Sequence, residues 1–210
     1  KDVRTVGGGA RGHQDGAAKN ALFCYPRGLV VQGAHPPLLA VLVADNGNHR
    51  IRKIAPDGTV SPVAPGVRSP CGLGMNAAGD LFYTDNQGEW CGASKMSIIE
   101  RGDFHGHPWG VQSTRRPESL VEFPGEIPDG IPMPEAAKVV PGFKMPVVWF
   151  PYDKCGKSPG EVVWDTEGVL GPFFKGQCFM GDQHHAAVYR IFTEEVNGHL
   201  QGAVFPFREG

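Results

Sequence analysis

The amino-acid sequence predicts an all-β fold, a β-propeller built from four-stranded blades. Short runs rich in Val, Ile, Leu, Phe and Tyr alternate with turn residues, and 30 glycines and 19 prolines occur among 210 residues, which is typical of many short strands. The same order of strand and turn residues returns along the chain, so that Asp45 and Asp85 end two matching runs 40 residues apart. A four-stranded blade takes roughly 40–45 residues. Helical signals are scarce, and only Gly16–Phe23, preceded by Asp15, predicts a short helical turn.

Two clear repeats and one looser repeat define the predicted blades. Each begins with a Pro followed closely by Gly, at Pro26, Pro70 and Pro159, and continues through an apolar run to an Asp. We therefore predict a first blade over residues 5–65, a second over 66–115 and a further one over 159–210. Together they form a single β-propeller domain over residues 1–210, or a fragment of one, in which the end blades are exposed.

The segment between the second and third predicted blades is rich in proline. Nine prolines lie from Pro117 to Pro159, and proline cannot donate a hydrogen bond to a strand ladder. We therefore predict a loop or insert over residues 116–158. Within it, only Val147–Phe150 has the pattern of a buried strand.

Charge and cysteine content exclude several classes of protein. The formal net charge is −2, so no basic surface for nucleic acid is expected, and no apolar run is long enough to span a membrane. Five cysteines cannot all pair internally, and none forms the Cys-x-x-Cys pair of a zinc site. Buried thiols and one disulfide are both compatible with the sequence. The compartment stays open, with a secreted or periplasmic location as one alternative.

One motif resembles a known repeat family. The pattern Asp45-x-x-Asn48-His49-Arg50-Ile51-x-x-Ile54 and the upstream run from Asp15 to Gly28 are similar to the NHL repeat. This resemblance covers about residues 5–65. It implies a propeller, commonly of six blades, in a family whose members bind proteins, RNA or small ligands and include a few enzymes.

A second resemblance covers about residues 66–210. The segments that carry it, which are similar to the glucose/sorbosone dehydrogenase group, are Ser69–Leu73, Asp85–Trp90, Gly102–Pro108, Trp149–Tyr152, Gly181–His184 and Phe205–Gly210. It implies a six-bladed propeller that oxidises sugars with pyrroloquinoline quinone and calcium. Gln87-Gly88 matches the turn that supplies oxygen ligands to calcium, but Glu89 stands where that group has proline. The segment with the group's catalytic His and cofactor-binding Arg residues has no counterpart here.

The blade geometry predicts a site on one face. In an antiparallel blade the Pro-x-Gly entries and the turns after Asp share one end, and such faces are natural ligand sites. Asp85, the carbonyl of Gly88 and Asp182 are oxygen ligands of the kind that calcium takes; alternatively, these aspartates cap their own turns. His105 and His107 flank a glycine and are candidate catalytic acid–base residues, with a structural role as the alternative.

Other polar and aromatic residues of this face are candidate ligand contacts. They are Asn86, Gln87, Trp109, Gln183 and His184. Two functions are therefore predicted as alternatives. One is a propeller of the NHL type, related to the glucose/sorbosone dehydrogenases, that binds a sugar-like molecule or a protein partner on its turn-rich face. The other is a sugar or aldehyde oxidoreductase that depends on pyrroloquinoline quinone and calcium.

Overall fold

A computed structural model describes residues 5–33 and 39–209 and contains thirteen β-strands in that part of the chain. They form three antiparallel sheets of four or five strands. In chain order the strands are β1 (Gly16–Ala17), β2 (Pro26–Gln32), β3 (Ala40–Asp45), β4 (Arg50–Ile54), β5 (Thr59–Pro65), β6 (Pro70–Met75), β7 (Leu81–Asp85), β8 (Ser94–Ile99), β9 (Val148–Phe150), β10 (Pro159–Trp164), β11 (Cys178–Asp182), β12 (Ala187–Val196) and β13 (His199–Glu209). The predicted all-β, propeller-like fold is confirmed.

In the part of the chain that the structure describes, helix is confined to two short segments, apart from a single 3-10 turn at Asn46–Asn48. Helix α1 spans Pro108–Thr114 and helix α2 spans Met133–Val139, each seven residues long. Both have proline in the first turn, where a missing N–H costs nothing. The helical turn predicted over Gly16–Phe23 is reduced to one turn, in which Ala21 N–H donates to the Ala17 carbonyl at 3.0 Å, because Gly16–Ala17 pairs with β5 as a strand. Within the described residues, no helix has the length and apolar character needed to cross a membrane.

In each sheet, four strands that follow one another along the chain are hydrogen-bonded neighbours. The first sheet differs by an extra strand, and the second by a long connection before its last strand. The strand orders are β1-β5-β4-β3-β2, β6-β7-β8-β9 and β10-β11-β12-β13. In the first sheet β1 adds a fifth strand beside β5. In the second sheet the fourth strand is β9, which pairs with β8 after a long excursion that contains both helices. The strand pattern predicted at Val147–Phe150, within the Pro-rich segment 116–158, thus corresponds to the strand that completes this sheet.

The sheets pack with β2, β6 and β10 next to one another. The Cβ position of Gly28 would fall on Cys71 and Gly72, and that of Gly72 on Gly160 and Glu161. Further along β6, the Cβ position of Gly74 would fall on Val162 of β10, so these two strands advance in the same direction. The glycines thus allow backbone-to-backbone approach between neighbouring sheets.

Side chains on the two faces of the second sheet belong to two separate parts of the core. On β7, Tyr83 packs toward the first sheet with Leu42 and Ile51. Its neighbour Phe82 packs toward the third sheet with Met180. Successive side chains of a strand point to opposite faces, so the second sheet is buried on both sides and holds the other two together.

Candidate functional site

One aspartate ends a strand in each of the three sheets, at the ends of β3, β7 and β11. Asp45, Asp85 and Asp182 pair with Pro26, Pro70 and Pro159, the first residues of β2, β6 and β10. Because β6 and β10 run in the same direction, Asp85 and Asp182 lie at the same end of the sheets. Asn46, which follows Asp45, donates to the Pro70 carbonyl at 3.3 Å, so the turn after β3 also lies at this end, here called the turn face.

Each aspartate binds the segment that leads into the first strand of its own sheet. Asp85 accepts hydrogen bonds from the backbone N–H groups of Arg68 at 2.9 Å and Ser69 at 2.8 Å. Lys95 lies 3.5 Å from the same carboxylate, and both side chains are buried. Hydrogen bonds from backbone N–H groups to a carboxylate are strong because the acceptor is charged. The aspartates therefore clamp strand entries, a role that goes beyond capping their own turns.

Asp182 repeats this arrangement in the third sheet. It accepts from the N–H groups of Lys157 at 3.1 Å, Ser158 at 3.0 Å and His184 at 3.0 Å. His185 Nδ1 lies 2.5 Å from its second oxygen. Burial alone would raise the pKa of Asp182, but these hydrogen bonds lower it. Calcium ligation by Asp85, Gly88 and Asp182 stays a prediction, in competition with the donors that already hold both carboxylates.

The residues after Asp85 bind the second sheet itself. Asn86 donates to the sulfur of Cys71 at 2.9 Å, and the Gln87 side chain accepts from Ser94 at 2.6 Å. At Gly88 a Cβ would collide with the guanidinium of Arg68. The absence of a side chain at Gly88 thus leaves room for the Arg68 side chain over this turn.

A cavity of about 720 Å³ opens on the turn face beside this turn. Its wall comes from the β7–β8 connection, from α1 and from the segment that follows α1. The lining residues are Glu89, Trp90, His107, Pro108, Trp109, Val111, Gln112, Arg115, Phe123, Gly125, Glu126, Ile127 and Asp129. This volume lies within the roughly 300–1,000 Å³ typical of small-molecule sites.

Aromatic rings line the cavity in an ordered row. The ring of His107 stands edge-on between Trp90 and Trp109, with centroid distances of 5.8 and 5.6 Å. Trp109 also contacts His49 at 5.5 Å, and the guanidinium of Arg68 lies 4.7 Å from its ring centroid. Trp109 is nevertheless 45% exposed, so part of its surface is open to a ligand.

The rings are fixed by the backbone around them. His107 N–H donates to the Gly66 carbonyl at 2.8 Å, and its Nδ1 accepts from Trp109 N–H at 3.3 Å at the start of α1. Trp90 donates through its indole N–H to the Pro128 carbonyl at 2.7 Å. The second sheet, α1 and the Pro-rich segment therefore hold the site together.

The two predicted catalytic histidines lie in different surroundings. His107 lines the cavity, whereas His105 packs on Tyr83 with ring centroids 4.9 Å apart. Gly106, between them, has a φ of 81°, so the segment is not extended and the two rings do not share a side. His105 is 2% exposed, and neither ring nitrogen has a hydrogen-bond partner among the described residues.

Gln183 and His184 lie elsewhere on the turn face. Both are exposed in the turn between β11 and β12, and neither lines the cavity. His184 and His185 contact each other at a centroid distance of 5.0 Å, because the chain turns there. Of the five predicted ligand contacts, only Trp109 lies in the cavity wall.

The sequence reasoning missed the side of the cavity opposite the tryptophans. Arg115 lies with its guanidinium 3.9 Å from the Phe123 ring centroid, and Glu126 and Asp129 follow in the same wall. Phe123, Glu126 and Asp129 belong to the segment predicted as a Pro-rich loop, and Arg115 is the last residue of the predicted second blade. The one sequence signal for a functional role was the aromatic and charged composition of this long connection, because long connections often carry function.

The buried histidines make a pH-dependent stability an expected result. Burial, followed by Lys95, lowers the pKa of His105 to about 3, and burial lowers that of His107 to about 4. A histidine with a lowered folded-state pKa contributes stability at neutral pH that is lost as pH falls from about 6.5 toward the folded value. From pH 7 to pH 5, we expect the free energy of unfolding to fall by about 2 kcal/mol through His105.

Urea denaturation of wild type and His105→Phe at both pH values measures this effect. The variant lacks the titrating group but keeps an apolar ring against Tyr83. Its stability should depend less on pH than that of the wild type. Equal pH dependence of the two proteins would show that His105 is not the buried neutral histidine described here.

The fold is similar to that of two solved structures. One is a protein assigned as an oxidoreductase (glucose dehydrogenase) from Thermus thermophilus, with a TM-score of 0.57 and 16% identity over 95% of this chain and 56% of that chain. The other is the PQQ-bound aldose sugar dehydrogenase from Streptomyces coelicolor, with a TM-score of 0.50 and 17% identity over 86% of this chain and 50% of that chain. This chain therefore spans about half the length of the structures it matches.

Sequence comparisons add no family. No protein-family model matches the chain, and no curated protein matches it. The class that the structure defines is thus a propeller-like protein related in fold to sugar dehydrogenases. At identities this low the likeness describes the fold, and function has to be argued from the site.

Proposed function

We propose that this protein binds a sugar-like small molecule in the cavity of its turn face. The observation that carries the proposal is the row of Trp90, His107 and Trp109 in a cavity that also presents carboxylates. Aromatic faces pack against the apolar faces of sugar rings, and carboxylates accept hydrogen bonds from hydroxyl groups. A binding protein of the NHL type with this ligand site is the function that the geometry supports best.

The first sheet supports the NHL part of the proposal. Asn48 of the repeat signature donates to Asp45 at 2.8 Å and to the Gly12 carbonyl at 2.9 Å. Arg52 forms a buried ion pair with Asp45 at 3.0 Å. The signature residues thus tie the N-terminal segment to the first sheet. We infer that the three sheets are blades of a propeller of the six-bladed kind.

The cavity does not fit the quinone cofactor of the alternative function. Pyrroloquinoline quinone carries three carboxylates, and a matching site needs an excess of positive charge. Here the lining holds Glu89, Glu126 and Asp129 together with Arg115, and Arg68, outside the lining, lies 3.6 Å from Glu89. With three carboxylates and one guanidinium, the lining favours a neutral polyhydroxylated ligand. We therefore derive no catalytic step through the quinone.

Calorimetric titration with D-glucose and with maltose tests the proposal. We expect saturable binding of at least one of them, and a loss of affinity of about tenfold or more in Trp109→Ala, which is about 1.4 kcal/mol. Phe192→Ala is the matched control, because Phe192 is an exposed aromatic residue of β12 outside the cavity. It should bind as the wild type does.

Two results would contradict the proposal. One is the absence of binding by either sugar, or unchanged affinity in Trp109→Ala. The other is dye-linked oxidation of D-glucose when pyrroloquinoline quinone and Ca²⁺ are added to the protein. The second result would favour the oxidoreductase, which the fold of the two sugar dehydrogenase structures keeps as the alternative.

A further inference from the structure

A separate polar cluster lies beside the first sheet. Its members are His13, Asp15 and Glu118, here called the His13 cluster, and none of them lines the cavity. One ligand atom from each residue lies within 4.8 Å of the other two. His13 Nε2 is 4.0 Å from Asp15 Oδ2 and 3.8 Å from Glu118 Oε1. A nitrogen and two carboxylate oxygens thus converge from two distant parts of the chain.

The surrounding structure orients these atoms toward one another. Asp15 binds Arg52 through Oδ1, at 2.8 Å from Nε and 2.5 Å from Nη2, which turns Oδ2 toward His13. Glu118 comes from the segment after α1 and approaches Arg50 Nη1 at 3.7 Å. Asp15 is therefore held in place by hydrogen bonds from Arg52, and Glu118 is attracted to the same side by the charge of Arg50.

The surroundings of the His13 imidazole are unusual for a buried polar group. Its side chain is only 6% exposed, and Nε2 has no hydrogen-bond partner among the described residues. Asp15 Oδ2 is likewise buried without a partner there. Separations of 3.8 and 4.0 Å are too long for direct hydrogen bonds. Buried polar atoms in native proteins are nearly always paired, so these two atoms point to a ligand.

We propose that His13, Asp15 and Glu118 bind a divalent transition-metal ion, with Zn²⁺ as the best match. Imidazole nitrogen and carboxylate oxygen are both zinc ligands, and three protein ligands leave a fourth position for water. Tetrahedral bonds of about 2.0–2.2 Å space ligand atoms about 3.3–3.6 Å apart. The two His13 separations of 3.8 and 4.0 Å need to contract by about 0.2–0.7 Å, and the two carboxylate oxygens, which lie within 4.8 Å of each other, by up to about 1.5 Å.

Charged groups around the His13 cluster both oppose and favour the binding of a cation. Arg50, Arg52 and Arg116 repel a cation, while Asp15 and Glu118 attract it. Burial, followed by Arg50, lowers the pKa of His13 to about 4, so the imidazole is neutral near pH 7 and keeps a lone pair for a metal. Bound Zn²⁺ would tie the N-terminal segment to the segment after α1.

Calorimetric titration of the chelator-treated 210-residue chain with Zn²⁺ tests the site. We expect one ion per chain, and a higher Tm in its presence because the ion binds the folded state. His13→Gln and Glu118→Gln should each lower the affinity about tenfold or more. His199→Gln is the matched control, since His199 is exposed at the start of β13, and it should bind Zn²⁺ as the wild type does.

Co²⁺ provides a second readout of the ligands. A visible spectrum of nitrogen and oxygen ligation that disappears in Glu118→Gln supports the site. A thiolate charge-transfer band would overturn it by placing the metal on cysteines. No Zn²⁺ binding, or equal affinity in the wild type and in both cluster variants, would also overturn it. Glu118 is partly exposed, and circular dichroism of Glu118→Gln verifies that this variant is folded.

Discussion

Replacement of Asp85 by alanine is expected to lower the free energy of unfolding by about 3–5 kcal/mol. The substitution leaves the ammonium group of Lys95 buried without its counter-ion, and Lys95 is only 2% exposed. It also removes the acceptor of the Arg68 and Ser69 N–H groups. Urea denaturation of the two proteins measures the difference. Glu195→Ala, at an exposed position of β12, should stay within about 0.5 kcal/mol of the wild type.

A double variant separates the charge effect from the loss of the strand clamp. Adding Lys95→Met to Asp85→Ala removes the unpaired charge, so part of the lost stability should return. A loss below about 1 kcal/mol in Asp85→Ala would contradict the clamp. A calcium-dependent rise in Tm of the wild type that Asp85→Ala abolishes would instead support Asp85 as a calcium ligand.

The aspartates show what the sequence could and could not predict. Their positions at strand ends follow from local patterns, because an apolar run followed by Asp and Asn is a strand and turn signal. The groups they bind do not follow from those patterns. The N–H donors of Arg68 and Ser69 lie 17 and 16 residues before Asp85, and only the pairing of β6 with β7 brings them together.

The cavity was harder to predict for the same reason. The polar and aromatic composition around His107 and Trp109 indicates a candidate site. The positions of the two rings, however, depend on the hydrogen bond from His107 N–H to the Gly66 carbonyl and on the start of α1. The opposite wall, with Phe123 and Asp129, comes from a segment with no strand pattern. The sequence predicts a strand at Val147–Phe150, but its pairing with β8 after a long connection could not be predicted, because pairing across such separations leaves no local periodicity.

Gly72→Ala is expected to lower the free energy of unfolding by about 3 kcal/mol or more. A Cβ at this position would lie less than 3.0 Å from the Gly160 carbonyl and from backbone atoms of Glu161. Neither is the flexible end of a side chain, so the clash can be relieved only by moving β6 away from β10. That movement would loosen the core between the second and third sheets, where Phe82 and Met180 are buried.

Gly181→Ala is the matched control for this substitution. Gly181 lies in β11 with no atom within 4 Å of its Cβ position and without a positive φ. Alanine there should leave stability unchanged or raise it by about 0.4–1 kcal/mol, because it restricts the unfolded chain. Urea denaturation of both variants makes the comparison. If Gly72→Ala were as stable as Gly181→Ala, β6 and β10 could not approach each other through their backbones, and the side-by-side packing of sheets that builds the turn face would be wrong.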